Sequence, residues 1–201
     1  MKLKTICVYC GSSPGRSPAY SEEAKRLGEE IARRGMRLVY GGASVGLMGE
    51  VARAAVENGG KVIGVIPAVL FEQEIADTAL ENLIVVESMH ERKAKMAELA
   101  DGFIAMPGGF GTLDEVFEML TWEQLGLHAK PCGLLNIENY YEQLLAFLDH
   151  AVEEMFIYKP HREMILLSKN AGELIDQMAA YDWKPIKKSE WVRAMKKYHR
   201  A

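Results

Sequence analysis

Short apolar runs of strand length recur along the chain, at Thr5–Tyr9, Leu38–Tyr40, Val62–Ile66, Leu83–Val86, Phe103–Met106 and Gly133–Leu135. Most are separated by stretches whose apolar residues follow helical spacing. Pro18 to Arg34 sets Ala24, Leu27 and Ile31 on one side among charged residues, and Gly35 ends it. Leu47 to Glu57 is rich in Ala and Val and stops at Asn58-Gly59-Gly60. Met89 to Ala100, Leu113 to Gln124, Tyr140 to Val152 and Ala171 to Tyr181 complete the helical set. Alternating strands and helices predict an α/β fold: a Rossmann-like, doubly wound parallel sheet with helices on both faces, in one domain. Ligands in such sheets bind beyond the carboxyl ends of the strands.

Composition narrows this picture. With 201 residues, 49% hydrophobic and 26% charged, the chain can bury one sizeable core. A net charge of −4 gives no basic face for nucleic acid. Met1-Lys2-Leu3-Lys4 runs straight into Thr5–Tyr9, too short for a secretory apolar region, and no run approaches the roughly 20 residues of a membrane helix. A soluble, cytoplasmic protein is expected. Eleven Met read as core gap fillers. Cys7 and Cys10 match a C-x-x-C spacing, but residues i and i+3 on a strand face opposite sides, so buried free thiols are expected rather than a disulfide or metal site. His128, His150, His161 and His199 show no metal-ligand spacing with neighbouring carboxylates or thiols. Residues 1–181 read as the nucleotide-binding domain, and 182–201, with Lys184, Lys187, Lys188, Lys196, Lys197 and Arg200, as a solvated basic tail.

The candidate chemistry sits in glycine turns at strand ends. Pro107-Gly108-Gly109-Phe110-Gly111-Thr112-Leu113-Asp114-Glu115 joins an apolar strand to an apolar-spaced helix. Such a turn gathers backbone N–H groups at the positive end of a helix dipole, a natural anion site. The same residues also admit a plainer reading, in which Thr112 and Glu115 form a capping box that only closes the helix. Further turns are Gly11-Ser12-Ser13-Pro14-Gly15 and Gly41-Gly42-Ala43-Ser44-Val45-Gly46-Leu47-Met48-Gly49. Neither is a G-x-G-x-x-G fingerprint or a P-loop, yet their convergence at one sheet edge fits a nucleotide-sized ligand. Mixed charges at Met89-His90-Glu91-Arg92-Lys93 are either a solvated helix face or, if the helix starts at the same edge, a phosphate- or carboxylate-binding Arg92 facing the crevice.

Three motifs together resemble the LOG ("Lonely guy") family, whose members are often mislabelled lysine decarboxylases. They are Gly41-Gly42-x-x-x-Gly46-Leu47-Met48-Gly49, Met89-His90-x-Arg92-Lys93 and Pro107-Gly108-Gly109-x-Gly111-Thr112-x-x-Glu115. The resemblance runs from about Thr5 to Tyr181. It implies hydrolysis of the N-glycosidic bond of nucleoside 5′-monophosphates, without a cofactor or metal, in a homodimer acting on an AMP-like nucleotide. It assigns catalysis to Arg92 and Glu115. Substrate contacts fall on Glu74, Arg92, Lys93, Gly108, Gly109, Phe110, Gly111, Thr112, Leu113, Asp114, Glu115 and Thr121, with Gly11, Ser12, Gly41, Gly42, Gly46 and Gly49 in supporting turns. Asp114 stands where many members carry Glu, a conservative departure. A non-catalytic nucleotide or molybdenum-cofactor carrier of the same superfamily is the competing expectation. A lysine decarboxylase would need a Schiff-base lysine, and nothing in the sequence marks Lys93 or Lys95 as one.

Overall fold

The computed structural model describes residues 3–71, 76–78 and 80–185. Seven strands form one sheet: β1 (Thr5–Tyr9), β2 (Arg37–Tyr40), β3 (Lys61–Pro67), β4 (Leu83–Val86), β5 (Gly102–Ala105), β6 (Cys132–Leu135) and β7 (Ile165–Ser168). Their order is β4-β3-β2-β1-β5-β6-β7, with every pairing parallel. Burial on both faces explains why the strands read as unbroken apolar runs rather than alternating ones. The expected doubly wound sheet is present. Strand β7 was not foreseen; it is only four residues long and lies at the edge of the sheet.

The helices among the described residues are α1 (Pro18–Arg33), α2 (Gly46–Glu57), α3 (Ala68–Phe71), α4 (Met89–Leu99), α5 (Phe110–Gln124), α6 (Glu142–Glu153), α7 (Lys159–Arg162) and α8 (Ala171–Ala179). They cover both faces. Leu27 and Ile31 of α1, Leu47 and Val51 of α2 and Leu174 and Ile175 of α8 pack with Ile6, Val8 and Leu38 on one face. On the other, Met96 of α4, Val116 and Met119 of α5 and Leu145 of α6 pack with Cys7, Val39 and Phe103. Cys7 and Cys10 therefore face opposite cores, as the strand geometry requires, and both thiols are free and buried. No helix among the described residues is long and apolar enough to cross a membrane.

The chain reverses direction across the sheet between β1 and β5: β2 to β4 extend to one side of β1, and β5 to β7 to the other. At such a reversal the loops leaving the two central strands diverge and open a crevice. Here the loops following β1 and β5 are the glycine turns at Gly11 and Gly108.

Candidate active site

Helix α5 begins at Phe110, three residues before the apolar spacing suggested, and its N-cap is Gly109, without a side-chain cap bond. Thr112 and Glu115 are thus the third and sixth residues of the helix, and the capping-box reading is set aside. Both are buried. A helix leaves its first-turn N–H groups without internal partners, and Phe110, Gly111 and Thr112, which carry them here, line a cleft.

The three glycine turns lock together around that cleft. Gly11 N–H donates to the Pro107 carbonyl (3.0 Å), and Leu47 N–H donates to the Gly11 carbonyl (3.1 Å). Gly46 makes the fit possible: its φ is +58°, and a Cβ there would lie 2.2 Å from the Ser12 carbonyl carbon. The resulting cleft holds about 380 Å³, within the range of small-molecule sites. Gly11, Ser12, Gly41, Arg92 and Gly109 to Thr112, with Asp114 and Glu115, line it.

Arg92 and Glu115 meet at its floor. Helix α4 starts at the carboxyl end of β4, capped by Ser88, whose hydroxyl accepts from Glu91 N–H (3.1 Å). The first turn delivers Arg92 into the crevice, while its neighbours His90 and Glu91 stay exposed. Arg92 Nε donates to the Val65 carbonyl (3.0 Å) and Nη2 to the Gly41 carbonyl (3.1 Å). The remaining Nη1 lies 3.5 Å from Glu115 Oε1. Burial pushes the Glu115 carboxyl up to about 7; Arg92 opposes this and Asp114 adds to it. Desolvation outweighs the ion pair because the guanidinium is shared with two carbonyls and stands beyond hydrogen-bond distance of the carboxylate. A carboxyl poised near neutrality in a cleft is suited to proton transfer.

The family-model comparison matches residues 48–178 to a family described as "Possible lysine decarboxylase". Among similar proteins, a cytokinin riboside 5′-monophosphate phosphoribohydrolase of Arabidopsis thaliana is 50% identical, over 90% of this chain and 83% of its own length. A cytokinin riboside 5′-monophosphate phosphoribohydrolase of Oryza sativa subsp. japonica is 48% identical, over 90% and 74%. The chain belongs to the LOG family. Among solved structures, the molybdenum cofactor binding protein of Rippkaea orientalis superposes with a TM-score of 0.68 at 25% identity, covering 90% of this chain and 98% of that one. The molybdenum cofactor carrier protein of Chlamydomonas reinhardtii gives 0.66 at 26%, covering 90% and 100%.

Not every residue implied by the LOG resemblance lines the cleft. Lys93 stands one layer behind it, donating to Asp114 Oδ2 (3.0 Å) with Glu118 Oε2 at 3.2 Å. Burial works to lower its pKa, but the two carboxylates outweigh burial and the net shift is upward. Lys93 thereby fixes the exposed Asp114 at the rim. Leu113 turns toward the core beneath α5. Thr121 is exposed, and its hydroxyl donates to the Phe117 carbonyl of its own helix (2.7 Å). Gly42, Gly46 and Gly49 shape the second turn without lining the cleft, and Gly108 lies just behind Gly109. Glu74, and the tail beyond Pro185, lie outside the described residues.

An apolar wall of Met48, Ile66, Leu70 and Met89 was not anticipated as part of this LOG-family site. These residues carry ordinary core signals, and only the sheet reversal turns them toward one hollow. A larger groove of about 590 Å³ opens beside Glu30 and Asn170. Its arginines are already paired, Arg26 with Glu23 and Arg33 with Glu30, and it shares no residue with the glycine turns. Volume alone does not make it the reactive site.

Proposed function

We propose that this protein hydrolyses the N-glycosidic bond of nucleoside 5′-monophosphates, AMP or N6-modified AMP such as cytokinin riboside monophosphates, releasing the free base and ribose 5-phosphate. The observation that carries the proposal is the buried Glu115 carboxyl, 3.5 Å from Arg92, on the first turns of a helix whose N-terminus opens into the same cleft. The named activity of the relatives at 47–50% identity is in accord with it. The 5′-phosphate sits against Gly109 to Thr112, where N–H groups and the helix dipole favour an anion. That fixes the sugar and places its anomeric carbon toward Glu115.

Water then adds its oxygen to the anomeric carbon. The carbon–nitrogen bond breaks with its electron pair going to the base, which is protonated from solvent as it leaves. Glu115 accepts the proton that water gives up and returns it to solvent, and its negative charge steadies the oxocarbenium-like sugar. An arginine stays protonated at neutral pH, so Arg92 orients Glu115 and supplies positive charge rather than a proton. Met48, Ile66, Leu70 and Met89 offer the base, or an apolar group on it, a dry wall.

A homodimer acting in the cytoplasm completes this reading. Leu125 and Leu127, 65% and 69% exposed just past the end of α5, offer apolar surface to a second copy, and Thr121 near that end would then reach ligand only through the neighbouring subunit. The buried free thiols suit a reducing compartment. The competing carrier reading draws on the molybdenum-cofactor neighbours, but a carrier does not need the buried pair of Arg92 and Glu115 in the cleft. Lysine decarboxylation is disfavoured because Lys93 is held cationic between two carboxylates, whereas a Schiff base needs a neutral amine. The test is chromatography of free base released from AMP, GMP, CMP, N6-prenyl-AMP and adenosine. Release from AMP or its prenylated form but not from adenosine supports the hydrolase and its phosphate requirement. Tight AMP binding with no release from any of them would favour the carrier.

A further inference from the structure

Three consecutive carbonyls of the glycine motif are each held by a donor. Tyr141 Oη donates to the Met106 carbonyl (2.5 Å), Gly11 N–H to the Pro107 carbonyl (3.0 Å) and Tyr140 Oη to the Gly108 carbonyl (2.6 Å). The two tyrosines arrive from the loop after β6, and their placement is strained. Glu138 and Asn139, immediately before them, both have positive φ, +52° and +58°. For residues other than glycine this costs free energy and persists only where the surroundings impose it. Asn136, itself buried, accepts Tyr141 N–H on Oδ1 (2.8 Å) and fixes the exit of that turn. Tyr140 packs edge-on against Tyr20 and Tyr141, so its ring is held independently of its hydroxyl.

In a planar trans peptide the carbonyl and the following N–H point in opposite directions. Holding the Gly108 carbonyl toward Tyr140 therefore turns the Gly109 N–H away from the tyrosine, and Gly109 separates the groove beside Tyr140 from the cleft, lining both. Without that anchor a Gly-Gly peptide flips at little steric cost, and a flipped peptide would present a carbonyl oxygen to an incoming anion. From the hydroxyl on Gly108 we infer that Tyr140 is a positioning residue: it sets the phosphate affinity of the cleft by fixing the orientation of the Gly108–Gly109 peptide. It does not line the cleft that holds Arg92 and Glu115. Tyr141 secures the strand end below it. The inference rests on the phosphate-binding part of the function proposed above.

Tyr140→Phe tests it, because the substitution keeps the ring and removes only the hydroxyl of a half-exposed side chain. Losing one hydrogen bond of this kind corresponds to roughly a three- to tenfold change. The expected result is a rise of that size in KM for AMP with kcat within twofold of wild type, the same loss in affinity for inorganic phosphate by calorimetry, and an unchanged melting temperature. Tyr20→Phe, which keeps the ring packing but touches no carbonyl of the motif, should change none of these. A folded Tyr140→Phe protein whose KM and phosphate affinity stay within twofold of wild type would overturn the inference, as would equal losses in both variants. Wild type that binds phosphate and AMP yet releases no base would sink the hydrolase reading alone, since the calorimetric comparison still decides the role of Tyr140. Wild type that binds neither would overturn both.

Discussion

Arg92 reaches Glu115 with one nitrogen at 3.5 Å while its other two nitrogens are bonded to the carbonyls of Val65 and Gly41. The arginine is thus part of the scaffold before it is part of the chemistry. It ties α4 to β3 and to the turn after β2, and leaves one face for the carboxylate. Removing either member of the pair should therefore have different consequences.

Glu115→Gln keeps the shape of the cleft and the bonds of Arg92 to main chain. Base release should fall by about a thousandfold or more, the scale of removing both charge stabilisation and proton transfer, while AMP affinity by calorimetry stays within a few-fold. Wild-type turnover in this variant would remove Glu115 from the mechanism.

Arg92→Ala should damage folding as well as turnover. It leaves Glu115 without a counter-charge and two buried carbonyls without their donor, a loss of about 3–5 kcal/mol by analogy with other broken buried pairs. Denaturant unfolding would register it. Any activity that survives should need higher pH, because Arg92 is what holds the Glu115 carboxyl down against burial.

The pH dependence of activity and of stability should run in opposite directions. Activity needs the Glu115 carboxylate, so kcat/KM should rise through pH of about 7 and level off above it. Stability behaves otherwise. The folded carboxyl titrates at about 7 against an ordinary 4.5, so the native state binds that proton more tightly than the unfolded chain. The resulting contribution is fully present below 4.5 and is lost as pH rises through about 7, amounting to at most about 3 kcal/mol. Glu123, buried in the same helix and likewise raised to about 7 by burial, acts in the same sense. Melting temperatures of wild type and Glu115→Gln between pH 5 and 9 should therefore diverge, with the variant the more stable at the alkaline end.

Two adjacent glycines should respond differently to alanine. A Cβ on Gly108 would stand 2.1 Å from Thr112 Oγ1, so Gly108→Ala should cost about 1–3 kcal/mol of stability through overpacking. A Cβ on Gly109 meets nothing within 4 Å and its φ of −94° suits any residue. Gly109→Ala should melt like wild type and lose affinity for phosphate, because the added methyl projects where the anion binds. Loss of stability without loss of affinity at Gly109 would contradict that placement.

Sequence reading reached the sheet from local signals, whereas Arg92 and Glu115 were singled out through the resemblance to the LOG family. Apolar runs between helical spacings imply a parallel sheet, and glycine turns at strand ends imply an anion site at its carboxyl edge. It misplaced the start of α5 because Gly109-Phe110-Gly111 has poor intrinsic helix propensity, whereas in the fold Gly11 N–H holds the Pro107 carbonyl just ahead of the helix. It did not separate a solvated from a buried role for Arg92 and Lys93, since burial of a charge depends on partners distant in sequence, Val65 and Gly41 for one and Glu118 for the other. The apolar spacing puts Tyr140 and Tyr141 in the helix that follows, which begins only at Glu142. Their role exists only through a strained turn and two carbonyls some thirty-odd positions earlier.

The order of strands also bears on how the chain acquires its structure. Strand β1 sits in the middle of the sheet, yet one of its flanks is closed by β5, where Ile6 pairs with Gly102. During synthesis the β1–β4 half can assemble early, leaving β1 as an unsatisfied edge until α4 (Met89–Leu99) and β5 (Gly102–Ala105) have followed. That edge is apolar and carries open hydrogen-bonding groups, the kind of surface that recruits other nascent chains. The same late arrival brings α5, so the step that silences the sticky edge is also the step that installs Glu115 opposite Arg92. A chain interrupted before that point would be aggregation-prone and inert together.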